Sequence, residues 1–130
     1  MADFHVYPVT IYYEDTDLTG LVYHPNYFKY FERARSEFFG PEKLRRMQTE
    51  AGISVAVYRA EIVFKKGAVL GDRLQILSQA QVQGDYRVVF QHQAVRTADQ
   101  TLLVTATVEL VCVAQGKLVR LPEWIVTEII

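Results

Sequence analysis

The sequence predicts an α+β fold in which one long helix packs against a curved antiparallel sheet. Three observations carry this. Residues 25–39 hold the one sustained aromatic helical pattern, with Tyr27, Phe31, Ala34 and Phe38 at i, i+4, i+7 and i+11. Residues 54–113 divide into four β-rich runs separated by short turn signals, the mark of antiparallel strands. A helix this rich in aromatics needs a sheet that wraps round it.

The elements follow in order. Val6 to Tyr13 reads as a strand with Val9, Ile11 and Tyr13 on one face. Pro25 suits the first position of the helix, where a missing N–H costs nothing. A second apolar stripe begins at Phe28 and continues at Phe39, and Gly40-Pro41 ends the helix. Polar Lys29, Glu32, Arg33, Ser36 and Glu37 fill its other side, with Arg33–Glu37 and Glu32–Arg35 as expected ion pairs. Glu42 to Ala51 reads as a short, polar, superficial helix. Four strands then follow: Ser54 to Lys65, Arg73 to Val82, Tyr86 to Arg96 and Leu102 to Val113. Gly84-Asp85, Ala98-Asp99-Gln100 and Gln115-Gly116-Lys117 are the turns, and Pro122 opens a short amphipathic segment.

The 130 residues suffice for one domain, 1–130, with no linker or repeat. Half are hydrophobic and 22% charged, a well-cored composition. A net charge of −1 gives no footing for nucleic acid or an anionic membrane. No signal peptide or membrane span is expected. The single cysteine, Cys112, lies in the most apolar strand, which points to core packing, a reducing compartment and a cytoplasmic location.

The chemistry concentrates in Tyr13-Glu14-Asp15-Thr16-Asp17-Leu18-Thr19-Gly20-Leu21-Val22-Tyr23-His24-Pro25-Asn26-Tyr27. A strand ends in two carboxylates, a glycine turn follows, and a helix begins. That order aims a carboxylate and a helix N-terminus at one volume, the minimal equipment for acyl transfer. Asp15 and Asp17 are by themselves ordinary turn formers. Gly20 suits a positive φ or a close approach of substrate. Tyr23 reads equally as pocket wall or core. His24 precedes proline, which sets it at the helix entry. His5 and His92 lack ligand spacing to it, and two acids fall short of a metal site. No Gly-x-Ser-x-Gly elbow or Gly-rich phosphate loop is present.

Tyr12-Tyr13-Glu14-Asp15-Thr16-Asp17, Gly20, Val22-Tyr23-His24-Pro25-Asn26-Tyr27 and Phe31-Glu32-Arg33-Ala34-Arg35 closely resemble the YbgC-type acyl-CoA thioesterases of the 4-hydroxybenzoyl-CoA thioesterase group. The resemblance implies the hotdog fold, a curved five-stranded antiparallel sheet around one long central helix. It implies hydrolysis of an acyl-CoA, with an acyl carrier protein thioester as another carrier, and no metal or redox cofactor. Asp17 becomes the catalytic carboxylate, as nucleophile or general base, and Asp15 the turn holder. The backbone N–H at His24 becomes the carbonyl-polarising donor, with Gly20 and Tyr23 beside substrate. The resemblance also implies edge-to-edge pairing into a homodimer or homotetramer. Lys65, Lys66, Arg87 and Arg120 are the candidates for coenzyme A phosphates, although the turn Gly84-Asp85-Tyr86-Arg87 keeps one basic residue where the benzoyl-CoA relatives cluster arginines. Two other readings are a hotdog 3-hydroxyacyl-thioester dehydratase, whose acid–base pair His24 and Asp17 could mimic although that pattern sets its acid on the helix after the histidine, where Glu37 is the nearest substitute, and a non-catalytic acyl-CoA binding module.

Overall fold

The aromatic helix α1 spans Asn26–Phe39. Its stripe is buried as the spacing requires: Tyr27, Phe31 and Ala34 are at most 2% exposed. Gly40, at φ +97°, ends the helix by turning the chain into a conformation costly for other residues, and its N–H donates to the Ser36 carbonyl (2.8 Å). In a computed structural model that describes residues 4–130, the strands are β1 (His5–Thr10), β2 (Ser54–Phe64), β3 (Arg73–Gln83), β4 (Arg87–Arg96), β5 (Leu102–Ala114) and β6 (Lys117–Val119). Two short helices, α2 (Pro41–Arg46) and α3 (Glu123–Ile129), accompany them, and a π-helical turn at Met47–Ala51 follows α2.

All pairings are antiparallel, in the order β1-β3-β4-β5-β2, with β6 added to β5. The five expected strands are all present, and the three-residue β6 is a sixth that the glycine turn at 115–117 disguised. Strand β1 stops at Thr10 rather than Tyr13; Tyr13 sits in a 3-10 turn and is 82% exposed. The inner face carries Leu74, Ile76, Val88, Phe90, Ala94, Ala106, Val108, Leu110 and Cys112 against α1, all buried. Ser78 continues the buried face of β3. Phe31 on α1 stacks on His92 of β4 (4.8 Å between ring centres), and His92 stacks on Phe90 (5.4 Å).

The two sheet edges differ. Strand β1 carries Pro8, which suits an edge. Strand β2 is eleven residues long, bulged at Tyr58, and leaves Val57, Tyr58, Val63 and Phe64 more than 40% exposed. A long apolar edge of this kind is a pairing surface. Among the described residues no helix is long and apolar enough to cross a membrane.

Candidate active site

The segment after β1 folds on itself. The Thr16–Val22 bridge closes a small loop, in which the Asp17 N–H donates to the Leu21 carbonyl and the Gly20 N–H to the Asp17 carbonyl, both at 3.0 Å. This is a tight turn with an acid at its first position and a glycine at its fourth, the residue preferences such turns have. Gly20 holds φ +84°, the positive value expected of it. Asp17 Oδ1 accepts the Thr19 N–H (2.8 Å) and the Thr19 hydroxyl (2.5 Å). Its Oδ2 has no protein partner among the described residues and faces solvent. The Thr19 hydroxyl bond, then the Thr19 amide and to a lesser extent the His24 charge, hold the Asp17 pKa below the usual carboxylate value of 3.8. Asp17 is therefore an anion at neutral pH.

Asp15 binds the chain on either side of it. Its Oδ2 accepts the Tyr12 N–H (2.8 Å), and its carbonyl accepts the Tyr23 N–H (2.8 Å) and the Asn26 side-chain amide (3.1 Å). These bonds tie the turn to the start of α1. Past that tie, Asn26 and Tyr27 donate to the Tyr23 and His24 carbonyls, whereas the His24 N–H has no acceptor among the described residues. It is an open donor at the head of a fourteen-residue helix, where aligned peptide dipoles place roughly half a positive charge. The His24 ring meets Tyr23 (5.2 Å) and Phe64 (5.8 Å) edge to face. Tyr23 is 49% exposed and so a surface wall, not core.

Asp17, Gly20, Tyr23 and His24 thus share one loop. Lys65 and Lys66 follow Phe64 directly, at the same end of the sheet, where their N–H groups hold the Leu103 carbonyl (2.8 and 3.0 Å). Arg87 and Arg120 are not brought to Asp17. Arg87 starts β4, whose other end, Arg96, meets Asp72 beside Ile11 at the site end; nine strand steps separate the two ends by about 30 Å. Arg87 stacks over Tyr58 (4.5 Å) and pairs with Glu109 (3.2 Å), and Arg120 pairs with Asp85 (3.1 Å). Glu37 is exposed, about 16 Å down α1 from its start. Among the described residues no group of three His, Cys, Asp or Glu is placed to hold a metal ion.

Thr19 and Arg35 join the residues that the sequence singles out. Thr19 carried a signal, since Asp-x-Thr at a turn is a pattern in which the side chains bond locally. Arg35 sits four residues after Phe31 and four before Phe39, on the apolar face, and is 8% exposed. Its Nη1 donates to His92 Nε2 (3.2 Å) instead of pairing with Glu32, and burial lowers its pKa to about 10, so it stays charged. The His92 Nδ1–H then donates to Ser78 Oγ (2.7 Å).

Removing the Thr19 hydroxyl gives a direct check on this electrostatic reading. In Thr19→Val the acid limb of kcat/KM moves to higher pH, because Asp17 loses its main stabilising donor. A profile from about pH 3.5 to 8 tests it, and a limb near the ordinary histidine value of ~6.5 in the wild type would instead assign the ionisation to an imidazole.

A curved antiparallel sheet wrapped round one long helix is the architecture of the thioester hydrolases of the hotdog fold. The thioesterase-like superfamily matches residues 12–129, and the chain belongs to it. It is similar to the acyl-CoA thioester hydrolase YbgC of Escherichia coli O6:H1, with 34% identity over 125 residues, 94% of this chain and 92% of the relative. In fold it resembles a 1,4-dihydroxy-2-naphthoyl-CoA thioesterase from Synechocystis, with a TM-score of 0.90, 24% identity, and coverage of 97% of this chain and 95% of the other. It also resembles 4-hydroxybenzoyl-CoA thioesterase solved with 4-hydroxybenzoyl-CoA, with a TM-score of 0.89, 20% identity, and coverage of 99% and 100%.

Proposed function

We propose that the protein hydrolyses acyl-CoA thioesters, with short aliphatic or aromatic acyl groups, to the free acid and coenzyme A. The observation that carries this is the free Oδ2 of an ionised Asp17 in the same loop as the unpaired His24 amide. The thioester carbonyl oxygen accepts the His24 N–H. The Asp17 carboxylate attacks the carbonyl carbon, or takes a proton from a water that does. The oxyanion forms at the helix end, where one donor of this kind is worth about 3 kcal/mol. The C–S bond then breaks, and the thiolate, a good leaving group, needs no strong acid; where Asp17 is the nucleophile this leaves a mixed anhydride, which water hydrolyses to the free acid and the Asp17 carboxylate. Gly20 and Tyr23 border the reacting group, and Lys65 and Lys66 meet the nucleotide phosphates.

The working unit we propose is a pair of one-domain chains joined in an antiparallel manner along β2, alone or within a tetramer. That pairing sets Arg87 and Arg120 beside the partner's loop rather than their own. The buried, unpaired Cys112 fits a reducing compartment such as the cytoplasm.

A thiol-release assay over benzoyl, short, medium and long acyl-CoAs, with an acyl carrier protein thioester beside them, tests the reading. Release from at least one acyl-CoA is expected, and none from any of them overturns it. Incorporation of oxygen-18 from water into Asp17 in a single turnover identifies the nucleophile.

A further inference from the structure

A guanidinium buried among apolar side chains, without an acid at salt-bridge distance, is costly unless something else meets its charge. Arg35 is in that position. Among the described residues its side chain makes one hydrogen bond, to neutral His92. Glu32, one turn back, is exposed and more than 4 Å from it, although its charge still favours the guanidinium. Arg35 lines a cavity of about 190 Å³ between α1, the turn after α2, and the first residues of β2. Its walls are apolar at Phe39, Leu44, Met47 and Val55 and polar at Ser54 and at Glu32, whose carboxylate lines the same cavity.

The position of this cavity on β2 fixes what it serves. Phe64, the last residue of β2, touches His24 at the thioester site. Ser54 and Val55, the first residues, line the cavity. When two β2 edges pair antiparallel about a two-fold, the Phe64 end of one chain lies beside the Ser54 end of the other. The cavity then opens toward the partner's Asp17–His24 loop, not toward its own.

We propose that Arg35 of each chain is an anion-binding residue in the acyl pocket of the partner's site, and that the preferred substrates are thioesters whose acyl chain ends in a carboxylate. This rests on the thioesterase reading above. The carboxylate accepts from the Arg35 guanidinium while the methylenes lie on Leu44, Met47 and Val55. The cavity sets Leu44, Met47 and Val55 beside Arg35, an arrangement that suits a short acyl chain ending in an anion.

The test compares glutaryl- and adipyl-CoA with their chain-matched neutral counterparts, pentanoyl- and hexanoyl-CoA. Wild type should favour the carboxylated substrates in kcat/KM, and Arg35→Gln, which keeps a donor for His92, should lose that preference by about tenfold to a hundredfold. Arg35→Lys should restore part of it. Gln48→Glu, an exposed cavity-wall residue whose change leaves the core intact, should weaken it as well. Co-folding Asp17→Asn with Arg35→Gln chains should regain about a quarter of the wild-type rate on adipyl-CoA, since half the dimers would hold one intact site of two. No preference in a wild type that cleaves neutral acyl-CoA overturns the proposal and leaves the thioesterase reading standing. A uniform rise in KM for all substrates in Arg35→Gln assigns the arginine to coenzyme A phosphate and also overturns it. No regain in mixed dimers overturns the assignment to the partner's site. If wild type cleaves no thioester, the thioesterase reading fails, and calorimetry with adipate decides the anion site: Arg35-dependent heat supports it and none overturns it.

Discussion

Replacing Asp17 with asparagine should slow thiol release by about 10²–10⁴-fold, the range general-base catalysis contributes, while leaving KM near its wild-type value. Asparagine is the instructive substitution because the turn survives it. Its side-chain oxygen still accepts the two Thr19 donors that Oδ1 accepts now, and the Asp17 main chain still bonds Leu21 and Gly20. What disappears is the charge on the free oxygen. The loss should therefore fall on kcat, with an unchanged far-ultraviolet spectrum and a melting temperature within a few degrees of wild type. An asparagine variant with wild-type kcat would remove Asp17 from the chemistry and leave the fold untouched. A variant that instead loses stability would mean that the carboxylate holds the loop, the role the structure gives to Asp15.

The parts of this molecule that were legible from sequence are those governed by local rules. The α1 stripe follows from a 3.6-residue period, and the strands β2 to β5 from β-rich runs between turn residues. The Asp17 turn follows from an acid and a glycine three apart. What was not legible depends on long-range placement. Tyr13 continued the alternation of β1, but the chain needs a 3-10 turn there to bring Asp15 back under the Tyr12 and Tyr23 amides. Arg35 looked like half of a surface ion pair with Glu32, and the helical period alone put it between Phe31 and Phe39 on the buried side. Composition argues against burying an arginine. Only the stacked Phe31, His92 and Phe90, which end in an imidazole nitrogen, supply the acceptor that makes it tolerable. Arg87 and Arg120 are legible as basic residues because charge is readable from sequence, whereas the end of the sheet on which they stand, and so which chain's loop they would face, is not.

The same buried group makes the fold sensitive to acid. His92 is 1% exposed, and burial first, then the Arg35 charge, lowers its pKa to about 3. Its Nε2 accepts from Arg35, so a proton there would turn an acceptor toward a donor and put two cations in contact. In the unfolded chain the same imidazole takes its proton near 6.5. Between about 6.5 and 3 the unfolded state therefore binds more protons, and stability falls as pH falls, by up to ~1.4 kcal/mol per unit. Stability should be about 2 kcal/mol lower at pH 5 than at pH 7.5 from this residue alone. Urea denaturation at the two pH values measures it. His92→Phe should be less stable at both, since Arg35 and Ser78 lose their partner, yet much of the difference between the two pH values should vanish. That difference, not the absolute stability, identifies the group: an equal acid loss in wild type and His92→Phe would place the titration elsewhere. A carboxylate bound at Arg35 would offset part of the positive charge beside His92. Adipate should then shrink the wild-type loss at pH 5 and leave the His92→Phe difference unchanged.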